Sequence, residues 1–145
     1  MPTVEVTQLV KGSPEAAYRL ACDMESYPQY MENVREVKVV ERGPSYTVTA
    51  WTTVVDGREF KWVEKDVYDD KNLTITYNQI KGDLKKFAGQ WTFRPVEGGT
   101  LVSLVVEFDL GIPVLSTMLH PVLARKTEEN CRSMLQAIKA RVEEA

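Results

Sequence analysis

The run from Arg58 to Tyr68 has the alternation of an extended strand, which puts Phe60, Trp62, Glu64, Asp66 and Tyr68 on one face. Two carboxyls set among aromatic rings have a definite chemistry. Facing inward, Glu64 and Asp66 would be buried acids with raised pKa, able to hold and pass a proton. Facing outward, they would be ordinary solvated charge. The other face carries Glu59, Lys61, Val63, Lys65 and Val67, which is more charged still, so the aromatic face is expected to point inward. A second set, Phe87, Gly89, Trp91 and Phe93, also alternates onto one face, with Gly89 leaving space beside two large rings or marking a bend. Tyr30, Trp51 and Tyr77 add rings with polar edges, which suit a pocket for a flat or polyprenyl-like molecule and equally suit a plain core. Tyr30, Glu64 and Asn130 are the candidates for moving a proton in such a pocket.

Other chemistries lack their residues. The single histidine, His120, has no Cys or carboxylate at ligand spacing, so no metal site is expected. Nothing resembles a nucleophile elbow. Gly98-Gly99 sits between two strand-like runs rather than before a helix, so it reads as a hairpin turn and not as a phosphate loop. No cofactor is expected.

The elements that must position these residues follow from period and punctuation. Thr3 to Val10 alternates as a strand. Ser13-Pro14-Glu15 starts a helix: Ser13 caps, Pro14 suits the first helical position and Glu15 suits the positive end. That helix fades near Asp23, and a second short helical turn is expected at Gln29-Tyr30-Met31. Six strands follow: Val34 to Glu41, Tyr46 to Val55, Arg58 to Tyr68, Leu73 to Gln79, Lys86 to Pro95 and Thr100 to Leu110. Their turns include Asp56-Gly57, Lys81-Gly82-Asp83 and Glu97-Gly98-Gly99. Pro121 is read as the first turn of the main helix, with a short turn or kink before it. From residue 122 an apolar stripe holds Leu123, Thr127, Asn130, Cys131, Met134, Leu135, Ile138 and Val142, over about six turns. Thr127 and Asn130 are polar groups within that stripe and need partners, either in the core or in a ligand.

The expected architecture is α+β: a curved antiparallel sheet of about seven strands wrapped around one long C-terminal helix, with two short helices after the first strand. One helix cannot fill a wide concave sheet, so a cavity beside it is expected. Its walls are assigned to Tyr30, Trp51, Trp62, Tyr77, Phe87, Trp91, Met118, Thr127, Asn130 and Met134, and its entrance to the 111–119 segment, where Leu115, Met118 and Leu119 form an apolar lip.

Bulk properties set the frame. The 145 residues make one domain, 1–145, by length. A net charge of −3 with interspersed signs argues against DNA as a partner, since nucleic-acid binding calls for a basic face. Cys22 and Cys131 form no motif and read as reduced thiols of a cytoplasmic protein. There is no apolar run of spanning length and no signal-peptide layout at the N-terminus. Peripheral contact with a membrane surface stays compatible with the sequence.

Two separated stretches carry a family resemblance. Ser13-Pro14-Glu15 leading to Asp23-Met24-Glu25-Ser26-Tyr27-Pro28-Gln29-Tyr30 is similar to the opening of the polyketide cyclase and coenzyme Q-binding family, part of the START-related helix-grip (SRPBCC) superfamily. The stretch from Gly82 through Lys86, Phe87 and Trp91 to Pro95 resembles that family's second signature, and its ribosome-association toxin branch in particular. The resemblance implies a helix-grip fold and binding of an apolar molecule (lipid, quinone or polyketide-like) by a carrier or accessory protein. It also implies two alternatives: an aromatase/cyclase acting on a poly-β-ketone, and an interaction module on the ribosome. Cyclases of this kind are expected to use an interior cation. Arg58 lies near a hairpin tip and Arg94 faces opposite to Trp91, so neither fills that role in the sequence. The net negative charge weighs against the ribosome, whose surface is largely RNA.

Overall fold

The β-branched and aromatic residues from Val34 to Asp109 form six consecutive strands, each hydrogen-bonded to the next. The computed structural model describes residues 3–55, 57–109 and 113–144, with the side chains of 113–120 outside the description. The strands are β2 (Val34–Arg42), β3 (Tyr46–Val55), β4 (Arg58–Asp69), β5 (Thr74–Gly82), β6 (Lys86–Val96) and β7 (Gly99–Asp109). The first strand, β1 (Thr3–Val10), returns to the far side of β7, so the sheet order is β1-β7-β6-β5-β4-β3-β2, antiparallel throughout. Between β1 and β2 lie helix α1 (Pro14–Cys22) and a 3₁₀ turn at Met24–Gln29, and α2 (Pro113–Glu144) closes the chain. This is the helix-grip arrangement of one long helix held against a curved sheet.

Local chemistry explains most boundaries. Ser13 has extended backbone and its Oγ accepts from the Ala16 amide at 3.1 Å, while Pro14 opens α1. Gly98 takes φ 90° in the β6–β7 hairpin, a conformation that side chains resist. The burial pattern of β7 alternates strictly, with Val102, Leu104, Val106 and Phe108 inward. β1 alternates likewise, with Val4, Val6 and Val10 inward and Leu9 exposed. Helix α2 sets Cys131, Met134, Leu135 and Ile138 against this end of the sheet, packing chiefly on β1 and more lightly on β7 and α1.

Three boundaries differ from the sequence reading. Pro121 lies inside α2, not in its first turn; Pro113 holds the first helical position instead, where a missing amide hydrogen has no intrahelical partner to lose. The helix thus runs 32 residues and passes through Pro121. The second short helical segment spans Met24–Gln29 rather than 29–31. Pro28 is accommodated in the tighter 3₁₀ geometry, and the Tyr27 carbonyl closes the segment by accepting from the Tyr30 and Met31 amides. Strand β5 also runs on through Gly82, which pairs with Trp62, so the turn begins later than its Lys81-Gly82-Asp83 signal.

Gly89 in β6 has a different role from the open space its spacing suggests. A Cβ built there would come 1.8 Å from the Val105 carbonyl oxygen and 2.6 Å from the Tyr77 hydroxyl. Those two atoms are themselves hydrogen-bonded, Tyr77 donating to Val105 O at 2.6 Å. Only glycine lets this bond cross the sheet. Gly89→Ala is therefore expected to overpack the sheet and cost roughly 2–3 kcal/mol, about 5–10 °C in melting temperature. A thermal melt that leaves the variant within a degree of the parent would refute the packing argument.

Candidate functional site

Beside α2, where the helix leaves β3 to β6 uncovered, lies a cavity of about 530 Å³. Its floor is aromatic. Trp51 on β3 and Trp62 on β4 are directly paired across the strands and stack with centroids 5.5 Å apart and planes 9° from parallel. Phe87 on β6 lies 5.1 Å from Trp62 and 5.7 Å from Tyr77 of β5. Trp91 completes the wall, and α2 contributes Leu123, Thr127, Asn130, Cys131 and Met134 from the other side. All three tryptophans of the sequence thus line one space.

The acids of β4 point inward. Glu64 is 3 % exposed and lines the cavity; Asp66 is fully buried behind it. The Trp62 indole donates to Glu64 Oε1 at 2.7 Å. Asp66 Oδ2 accepts from Thr49 at 2.6 Å and from Thr47 at 3.3 Å, and Thr49 in turn accepts from the Trp51 indole at 2.8 Å. Thr47 also bonds the Tyr68 hydroxyl at 2.7 Å. These donors are short side chains on the adjacent strand β3, placed by the register that sets Thr47 opposite Asp66 and Thr49 opposite Glu64. On this side Thr47, Thr49 and Tyr68 line a smaller cavity of about 270 Å³.

Burial is the main influence on both acids. It pushes Glu64 well above the ordinary carboxylate range, helped by the hydrogen bond and repulsion of Asp66 and opposed by the Trp62 indole. Asp66 is raised too, but its bonds with Glu64, Thr49 and Thr47 hold it down. The threonine donors favour the charged form of Asp66 and so oppose the effect of its burial. Asp66 Oδ1 has no hydrogen-bond partner among the described residues.

The structure brings together most of the residues assigned from sequence. Trp51, Trp62, Tyr77, Phe87, Trp91, Thr127, Asn130 and Met134 all line the cavity, with Glu64. Asn130 Oδ1 is buried with no hydrogen-bond partner among the described residues. Tyr30 is a correction: it lies outside the cavity, its ring 6.2 Å from that of Tyr27 and under the Arg141 guanidinium at 5.0 Å. Its buried hydroxyl likewise has no partner among the described residues, and burial raises its pKa, partly offset by Arg141. The reason is the 3₁₀ turn, which packs on β2 and carries Tyr30 to Arg141 of α2. The side chains of Met118, Leu115, Leu119 and His120, and the proposed lip at 111–119, lie outside the described residues.

Sequence reasoning missed part of the wall. Arg58 does line the cavity, as do Lys61, Gln79, Asp83 and Lys126. Arg58, Lys61 and Asp83 are exposed and mark the open side, near the ends of the β3–β4 and β5–β6 hairpins. A position beside a hairpin turn was the signal that set Arg58 aside, and in a curled sheet that same position forms a rim. Arg94 is exposed on β6 and outside the cavity. Among the described residues no three His, Cys, Asp or Glu side chains could hold a metal ion, and no helix is long and apolar enough to cross a membrane.

Comparison with known proteins agrees with this geometry. Residues 10–135 match the family model for polyketide cyclase / dehydrase and lipid transport. The chain is 26% identical over 144 residues to the ribosome association toxin RatA of Escherichia coli K12, covering 99% of this chain and 89% of the toxin. It is 32% identical to TTHA0849 from Thermus thermophilus, whose crystal structure superposes with a TM-score of 0.91 over 97% of both chains. The Zhui aromatase/cyclase from Streptomyces sp. R1128 shares the fold at a TM-score of 0.85, with 20% identity over 98% of this chain and 93% of that one.

The acid pair makes stability pH-dependent in a defined direction. Raised folded-state values mean that the folded protein keeps protons that the unfolded chain has released above about pH 4 to 4.5. Stability contributed by the pair is therefore fully present at low pH and declines as pH rises from there through the folded-state value of Glu64. Glu64→Gln removes the group that titrates, so the melting temperature of the variant should fall less between pH 5 and pH 8 than that of the parent. Parallel melting curves across that range would exclude a raised Glu64.

Proposed function

We propose that this chain, which belongs to the polyketide cyclase / dehydrase and lipid transport family, holds an apolar small molecule in the cavity between β3–β7 and α2, as a carrier or accessory protein. The observation that carries this reading is the wall itself. Trp51, Trp62, Phe87, Trp91 and Tyr77 surround about 530 Å³, a volume within the roughly 300–1,000 Å³ of small-molecule sites. The polar groups inside are Glu64, Asn130, Thr127, Thr53, Gln79 and Lys126 among the described residues, with the exposed Arg58, Lys61 and Asp83 at the rim. A few polar points in an apolar wall orient a ligand, and the apolar area supplies the affinity.

The tryptophans supply the assay, because Trp51, Trp62 and Trp91 all face the cavity. A panel of quinones and fatty acids should contain members that change tryptophan emission saturably and raise the melting temperature of the protein. Thr127→Phe places a ring in the cavity and should weaken that binding by about tenfold or more. Organic extraction of the natively purified protein should release a bound apolar molecule detectable by mass spectrometry. If no member of the panel shifts emission or melting and the extract is empty, the reading fails.

A second reading, contact with the ribosome, is supported by the 26% identity to a ribosome association toxin over 99% of this chain. It would use the outer surface and leave the cavity to its ligand. Co-sedimentation with ribosomal subunits at low salt is the expected result. Absence from the subunit fractions would remove this reading and leave the first untouched.

A further inference from the structure

Arg58, Lys61 and Lys126 also line the cavity, and Glu64 is the buried carboxyl of its wall. The Trp62 indole is engaged by Glu64, the Trp51 indole by Thr49 and the Tyr77 hydroxyl by the Val105 carbonyl. The aromatic donors are thus turned into the protein, which leaves ring surface as their contribution to the wall. Ring faces carry the negative part of the aromatic quadrupole. The wall also carries the Glu64 carboxyl, whose Oε1 takes the Trp62 indole, and, on α2, Asn130, whose Oδ1 is buried and partnerless among the described residues. Behind Glu64 stands Asp66, fully buried, so two carboxyls lie together on this side of the cavity. Among the described residues no Lys, Arg or His forms an ion pair with either acid. Burial disfavours the charged form of an acid that has no counter-ion, and a cationic ligand would supply one.

We propose that the occupant of this cavity is an apolar molecule bearing a protonated amine, its ammonium seated against Glu64 and flanked by the faces of Trp62, Trp51 and Phe87. The inference rests on the cavity being a ligand site and names the class of ligand. An ammonium supplies donors and a positive charge to Glu64. It also gains from the surrounding rings, as cations do over aromatic faces, and most when desolvated. The apolar remainder of the ligand fills the space toward Trp91, Leu104 and Leu123. A carboxylate in the same place would lie beside two other carboxyls.

Three isosteric probes decide the matter by isothermal titration calorimetry on the intact chain at neutral pH: 2-naphthylmethylamine, 2-naphthylmethanol and 2-naphthoate. The amine should bind about tenfold more tightly than the alcohol, with the carboxylate weakest. Glu64→Gln should bring the amine-to-alcohol ratio close to one, and Asp66→Asn should reduce it. The comparison among probes on the parent protein needs neither variant to fold. An alcohol that binds as well as the amine, or a carboxylate that binds best, overturns the inference while leaving the cavity as a ligand site. The inference is overturned in the same way if all three probes fail while a quinone or fatty acid binds. If nothing in either panel binds, the ligand-site reading falls as well.

Discussion

A seven-stranded sheet curled around a single helix has more concave surface than that helix can cover, and the rest of the structure follows from where the helix lies. α2 packs chiefly on β1 and also on β7, at one edge of the sheet. There the core is aliphatic and closed, with Val6, Val102, Leu135 and Ile138 almost wholly buried. Towards β3, β4 and β5 the helix has moved away, and side chains must either collapse into the gap or stand around it. Trp51, Trp62 and Phe87 stand around it because they pack on one another: a stacked cross-strand pair and a tilted third ring hold their own orientations. The cavity is thus a consequence of sheet width and ring-on-ring packing together.

The same gap explains why two acids are tolerated on an inward face. In a close-packed aliphatic core each would be a severe penalty. On β4 they lie beside a space and are served by β3, where Thr47, Thr49 and Trp51 supply a ladder of short donors in register. Asp66 is ordered by these bonds and Glu64 by the Trp62 indole, so both carboxyls have fixed positions before any ligand arrives. Preorganised polar groups in a dry wall interact more strongly with an occupant than mobile groups in water would. The cost of burying them is met by the sheet, on rigid strands rather than loops.

Much of this was legible in the sequence because strands write their orientation at a period of two. The contrast between Phe60-Trp62-Glu64-Asp66-Tyr68 and the Glu59-Lys61-Val63-Lys65-Val67 face favoured an inward aromatic face without deciding the acids, and the structure buries Glu64 and Asp66. The stripe on the main helix placed Thr127, Asn130 and Met134 at the cavity for the same reason, at the helical period of about 3.6. What was not legible depends on distances between segments. Tyr30 has the right residue type, but a 3₁₀ turn whose path periodicity does not encode carries it to Arg141. Arg58 was set aside as a hairpin residue, although the curl of the sheet brings that hairpin to the rim. Gly89 offered two readings, space or a bend, and the structure gives a third: a passage for the bond between Tyr77 and the Val105 carbonyl, contributed by the next strand, β7. Pro121 obeyed the general rule for helix starts, and the rule was satisfied earlier in the chain by Pro113.

Because the site is written on alternate positions of β3 to β6, its chemistry can change without changing the fold. Replacing an inward residue leaves the backbone ladder intact, since ladder bonds use no side chains. The outward residues that set solubility lie one position away and are independent of it. This accounts for a chain that is 32% identical to one solved structure yet superposes with a TM-score of 0.91, and for an aromatase/cyclase at 20% identity with the same architecture. The fold fixes that a cavity exists and where its walls stand; the inward side chains fix what it will accept. In this chain those side chains are stacked indoles and two buried acids, Glu64 and Asp66, whose side-chain donors come from their own strand and the next.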